Sequence, residues 1–79
     1  MAYTIKREDL EYLLEQIFGM DWKNTYKLDQ DMLGYAIYIK EDNGVRLFSS
    51  ESRRLTIKEM YYYLRGLFDM TNFYKKQNH

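Results

Sequence analysis

The sequence predicts an α+β domain: a three-stranded antiparallel sheet with a helix on either side in the chain order α-β-β-β-α, both helices packing as a second layer on one sheet face. Three observations predict it. Apolar residues recur at helical spacing near both ends of the chain, they alternate with a period of two in between, and Asp42-Asn43-Gly44 marks a tight turn inside the alternating region. A chain of 79 residues is one domain, 1–79. Folding at that size buries only about 60% of the surface that the unfolded chain exposes.

The first helix runs from about Arg7 to Phe18, because Leu10, Leu13, Leu14 and Ile17 fall on one face, and Gly19 closes it. From Trp22 to Asp29 the period changes to two, which reads as a half-buried strand with Trp22, Asn24, Tyr26 and Leu28 on one side. A turn at Asp29, Gln30 and Asp31 leads to a second strand, Leu33 to Lys40, whose apolar side is Leu33, Tyr35, Ile37 and Ile39. Two hairpin registers follow from the next turn. A two-residue Asn43-Gly44 loop pairs Ile39 with Phe48, whereas a three-residue loop with Gly44 left-handed pairs Ile39 with Leu47. The three-residue loop is expected, since it keeps Val45 and Leu47 on the side of Ile37 and Ile39 and sets Tyr38 opposite Phe48 on the other side.

The last helix starts at Thr56, whose hydroxyl caps it while Glu59 reaches back to the cap backbone. No proline interrupts it, and it continues to about Lys75. At about 100° per residue, Ile57, Met60, Tyr61, Leu64, Leu67 and Phe68 form its core face.

Nine Tyr, four Phe and one Trp supply the bulk of a small core, each ring burying ~150 to 250 Å². Without cysteine there is neither a disulfide nor a thiolate metal site. The N-terminal segment to Asp9 is polar, and the longest uncharged apolar run, Met32 to Ile39, is too short to span a bilayer. A cytoplasmic protein without membrane insertion is expected. Twelve basic and twelve acidic residues cancel, so an electrostatic partner must read a patch rather than a global field.

Catalysis is not expected. The only histidine is His79, at the end of a polar tail, and the four glycines are too scattered for a phosphate loop. Ser49, Ser50 and Ser52 form the polar exit from the third strand. Asp29, Asp31 and Gly34 occupy the first, third and sixth positions of a calcium-loop pattern, but Leu33 and Lys40 stand where ligands are required, so no metal or cofactor is expected. Glu8, Glu11 and Glu15 read as a solvated helix face.

Two surfaces remain as candidates. On the final helix, Tyr62, Tyr63, Gly66, Met70 and Phe73 lie roughly opposite the core face, leaving only a narrow polar wedge of Lys58, Arg65, Asp69, Asn72 and Lys76. The first helix covers part of this second side if Gly66 admits a close helix approach; otherwise the cluster is a binding surface for another protein or for a second copy of the chain. The other candidate is the open sheet face, where alternation gathers Lys23, Lys27, Lys40 and Arg46 around Tyr38 and Phe48, a pattern that suits phosphates and stacked bases. Cross-strand aromatic pairs also serve sheet stability alone.

The run Leu55-Thr56-Ile57-Lys58-Glu59-Met60-Tyr61-Tyr62-Tyr63-Leu64-Arg65-Gly66 resembles the helix of small phage and mobile-element accessory proteins, which carry a threonine-capped, Lys-Glu-led, tyrosine-containing helix after a β-hairpin. It departs from them in the tyrosine run Tyr61 to Tyr63, where smaller residues are usual. The resemblance implies a phage-encoded protein that docks on a host enzyme or defence complex and blocks it, as anti-CRISPR and anti-restriction proteins do. It assigns no residue a role. The sheet face is similar to the three-stranded arm-binding domains of phage integrases, which implies DNA as the alternative partner. Protein binding through the final helix is the leading expectation, and nucleic-acid binding through the sheet face is the alternative.

Overall fold

In a computed structural model describing residues 4–77, the chain forms α1 (Arg7–Phe18), β1 (Tyr26–Asp31), β2 (Gly34–Glu41), β3 (Gly44–Leu47) and α2 (Ile57–Gln77). The strands make one antiparallel sheet in the order β1-β2-β3, so the α+β class and the element order are those that the periodicity predicts. At the start of α1 the Asp9 carboxylate accepts the Lys6 N–H at 2.8 Å, taking up one of the donors that a helix N-terminus leaves open. At its end the Gly19 N–H closes on the Glu15 carbonyl at 2.8 Å. Leu10, Leu13 and Leu14 are buried between these ends.

β1 begins later than the alternation suggests. Trp22–Asn24 is a turn of 3-10 helix, in which the Thr25 N–H closes on the Trp22 carbonyl at 3.1 Å. This turn lets the indole enter the core, where Trp22 is only 6% exposed, and burying the largest side chain in the protein outweighs the strand preference of three residues. The following turn also lies further along than expected, at Met32 and Leu33, where the Asp31 carboxylate accepts the Leu33 N–H at 2.8 Å. Leu33 is therefore exposed rather than part of the apolar side of β2.

Neither hairpin register expected from the sequence forms. Asp42 and Asn43 make the loop, with Glu41 opposite Gly44, Ile39 opposite Arg46 and Tyr38 opposite Leu47. A loop of Asn43 and Gly44 needs a positive φ at Asn43, but here the positive φ, 140°, falls on Gly44, where glycine tolerates it. The aromatic residues then decide the register. The Phe48 N–H donates to the Ile37 carbonyl at 2.9 Å, which places Phe48 on the core side of the sheet against Phe18 and Tyr26. Burying Phe48 leaves Val45 exposed, and the larger ring gains more from burial.

Beyond β3 the chain returns alongside β2. Ser49 Oγ accepts the Glu51 N–H at 3.2 Å as the cap of a short 3-10 turn, Ser50–Ser52, whose buried Ser52 hydroxyl donates to the Ser49 carbonyl at 2.8 Å. Leu55 then bridges Tyr35, with N–H···O contacts of 2.7 and 2.8 Å in the two directions. The bridge demands glycine at position 34: its φ is +133°, and a Cβ there would lie 2.5 Å from the Leu55 carbonyl oxygen. α2 opens with the expected capping box, Glu59 N–H to Thr56 Oγ1 at 3.1 Å and Thr56 N–H to Glu59 Oε1 at 2.9 Å. Met60 and Leu64 of α2 join Leu10, Leu13 and Leu14 of α1, Trp22, Leu28 of β1, and Tyr35 and Ile37 of β2 in a single buried cluster.

Candidate functional site

α2 spans about 31 Å, 21 residues at 1.5 Å each. Its core side carries Met60 and Leu64, fully buried, with Ile57, Tyr61 and Leu67 packed around them. On the opposite side Tyr62, Met70 and Phe73 are between 57% and 61% exposed, and around a Cβ built on Gly66 there is nothing within 4 Å. Gly66 therefore makes no close contact with α1, and the reading in which α1 covers this side is corrected. The spacing of 62, 66, 70 and 73 lays these four residues in one stripe.

Tyr63 does not belong to that stripe. It is half-buried, and its hydroxyl shares a 2.9 Å hydrogen bond with Ser49 Oγ, tying α2 to the chain that leaves β3. Tyr74 borders it on the side of Met70, although the sequence reading passed it over: it is as exposed as Tyr62, and its ring meets that of Phe73 at 6.2 Å. The step of four from Met70 to Tyr74 is the signal that could have found it. Lys58, Arg65 and Asp69 are exposed along the polar flank, whereas the side chain of Lys76 lies outside the described residues.

The basic and aromatic set expected on the open sheet face does not assemble. Phe48 packs edge-on to Phe18 and Tyr26, at centroid distances of 5.7 and 5.8 Å, and those two rings stack on each other at 4.0 Å. Arg46 lies on the side of Ile39, opposite to Tyr38, and pairs with Glu41. Only Lys27, Tyr38 and Lys40 share the other face, and Asp29 and Asp31 occupy its far end. Arg54 Nη1 meets these carboxylates at 3.3 and 2.9 Å, and the hydrogen bond that it donates to Asp29 is the main reason that the guanidinium pKa is raised. The calcium-loop residues thus serve as the anchor for Arg54, itself in a left-handed conformation at φ 50°.

Three of the lysines meet elsewhere. Lys23, Lys27 and Lys40 line a groove of about 460 Å³ along the free edge of β1, together with Arg7, Glu11, Trp22, Tyr26 and Leu28. Lys40 Nζ donates to the Lys23 carbonyl at 2.6 Å, and Arg7 Nη2 donates to the Leu28 carbonyl at 2.8 Å. Glu11 draws Lys23 Nζ to 3.5 Å and Arg7 Nε to 3.6 Å. Four cations thus line one groove beside the buried indole, and two of them, Arg7 and Lys23, pair with Glu11. Arg7 and Trp22 were not expected here, because neither the 3-10 turn at Trp22 nor its approach to the start of α1 leaves a local signal.

Glu8 and Glu15, the neighbours of Glu11 on α1, line an adjoining depression with Tyr12 and Met20, which shares Glu11, Trp22 and Lys23 with the groove. Among the described residues no three His, Asp or Glu side chains gather as a metal-binding group, and no helix is long and apolar enough to cross a membrane. His79 lies outside the described residues. No protein-family model matches the chain, and comparison with curated proteins and with solved structures likewise finds no match.

Proposed function

We propose that this chain acts by binding protein through the outer stripe of α2. The observation that carries this reading is the pairing of two apolar sides on one helix: Met60 and Leu64 are fully buried on one, while Tyr62, Met70, Phe73 and Tyr74 on the other are each more than half exposed. Single exposed apolar residues are ordinary, but a contiguous row of aromatic and Met side chains has the composition of an interface centre. On the phage resemblance, the bound protein is a host enzyme or defence complex and the outcome is inhibition. The test is Tyr62→Ser combined with Phe73→Ser in the full chain. The double variant is expected to keep its circular dichroism and thermal midpoint and to lose association, read both as solution mass and as retention of protein from a host lysate. A folded double variant with unchanged mass and unchanged retention sinks the reading.

A second reading draws on a different observation, the four cations gathered along the edge of β1. Arg7, Lys23, Lys27 and Lys40 suit a run of phosphates, which makes a nucleic-acid backbone the partner. Neutralising three or four phosphates gives a log K against log[salt] slope of roughly −2 to −3.5. Lys27→Glu with Lys40→Glu is expected to abolish gel retardation of an oligonucleotide, and a wild-type chain that retards none at low salt dismisses this reading.

A further inference from the structure

Building on the reading of the α2 stripe as a protein-binding surface, we infer that its occupant is a second copy of this chain, the two helices packing antiparallel about a two-fold axis at Gly66. A two-fold interface is self-complementary: where residue i meets j, j meets i. Tyr62 and Met70 stand one turn to either side of Gly66, about 6 Å away along the axis. Antiparallel pairing at Gly66 therefore lays Tyr62 of each copy on Met70 of the other, thioether against ring, twice. The two glycines face each other at the centre, where the missing side chains let the backbones approach closely. Nothing within the chain itself uses that space, since a Cβ on Gly66 would have no neighbour within 4 Å. A glycine at an exposed helix interior lowers helix stability relative to alanine, and the pairing supplies a reason for its presence.

Charge fits the same geometry. Two-fold antiparallel helices bring like flanks together, so Arg65 of one copy comes beside Asp69 of the other, twice. Parallel helices would set that flank against Tyr63 and Tyr74 and leave the charges unmatched. Glu59 falls opposite Phe73 of the other copy, and its carboxylate is already turned back onto the Thr56 N–H at 2.9 Å, so that it presents its aliphatic stem.

Sedimentation equilibrium of the full chain, from low micromolar to millimolar concentration, tests the inference. The expected mass rises from one chain of 9.8 kDa towards two. Gly66→Gln fills open space in the monomer, so at low concentration the variant keeps its fold with a raised thermal midpoint, and its dimer is weaker by about tenfold or more. Arg65→Glu and Asp69→Lys each weaken association by about threefold, and the two together restore it. A wild-type chain that stays monomeric at millimolar concentration overturns the inference. The protein-binding reading then survives if Tyr62→Ser with Phe73→Ser still abolishes retention of a lysate protein. A dimer unaffected by Gly66→Gln and by the charge exchange also overturns it, and if Tyr62→Ser with Phe73→Ser changes neither that dimer nor the retention of a lysate protein, the reading beneath it fails too.

Discussion

Gly34 and Gly44 are both held at positive φ, 133° and 140°, but only Gly34 faces another backbone. Forcing alanine into such a conformation costs roughly 1–3 kcal/mol at either position. At Gly34 the added methyl also meets the Leu55 carbonyl and separates the bridge to Tyr35, whereas at Gly44 it enters open space. Gly34→Ala is therefore expected to lose at least about 1 kcal/mol more than Gly44→Ala, the worth of a disrupted pair of backbone hydrogen bonds, as measured by urea unfolding. Equal losses would show that the Leu55 bridge contributes nothing. Little of this was legible at the level of single residues. Arg54 reads in the sequence as one basic residue before a helix, and neither its left-handed backbone nor its reach to Asp29 and Asp31 leaves a local signal.

Whole elements were legible in proportion to how local their causes are. Both helices follow from the spacing of Leu10, Leu13, Leu14 and of Met60, Leu64, and α2 begins where Thr56 and Glu59 announce a capping box. Strand limits were not, because the start of β1 depends on burying Trp22 and the register of β3 depends on Phe48 meeting Phe18 and Tyr26, contacts between residues far apart in sequence. The capping box also has a pH signature. Glu59 accepts hydrogen bonds from the Thr56 N–H and from its side chain, and both lower its pKa. A lowered carboxylate pKa stabilises the fold above the ordinary value, about 4.3, and the gain is lost as pH falls through the lower folded value. Over about pH 2 to 6 the thermal midpoint should fall less steeply in acid for Glu59→Gln, whose amide keeps the box without titrating. Matching acid slopes for variant and wild type would refute this role. Thr56→Ala, which removes the cap hydroxyl and its hydrogen bond to Glu59, should cost about 1 kcal/mol near neutral pH and less in acid, where Glu59 is protonated.

At the scale of the molecule, the Cα radius of gyration is 13.2 Å, against about 11.6 Å for a compact chain of this length. Among the described residues the last fully buried one in α2 is Leu64, and Met70, Phe73 and Tyr74 lie beyond it with their side chains largely in solvent. If a second copy covers this end, it stabilises the folded state by mass action, about 2.7 kcal/mol at one hundred times the dissociation constant. The thermal midpoint should then climb on the order of 10 °C between dilute and concentrated samples, and Gly66→Gln should flatten that climb. A wild-type midpoint independent of concentration contradicts it. The two-sided apolarity of α2 was visible in the sequence, because a wheel needs only one element. The groove was not, because it exists only where the start of α1, the turn at Trp22 and the edge of β1 converge.

That turn has a spectroscopic consequence. Trp22 is the only tryptophan in the chain, so the near-ultraviolet emission excited at its red edge comes from one indole, packed in the core with the Lys23 ammonium 5.6 Å from its ring. Its emission should be blue-shifted in the folded protein and move to the red on unfolding. Since the ring underlies the groove, an oligonucleotide lodged there should quench or shift the band, whereas diluting a dimer paired through α2 should leave it unchanged. One native fluorophore thus separates the two binding surfaces without any label.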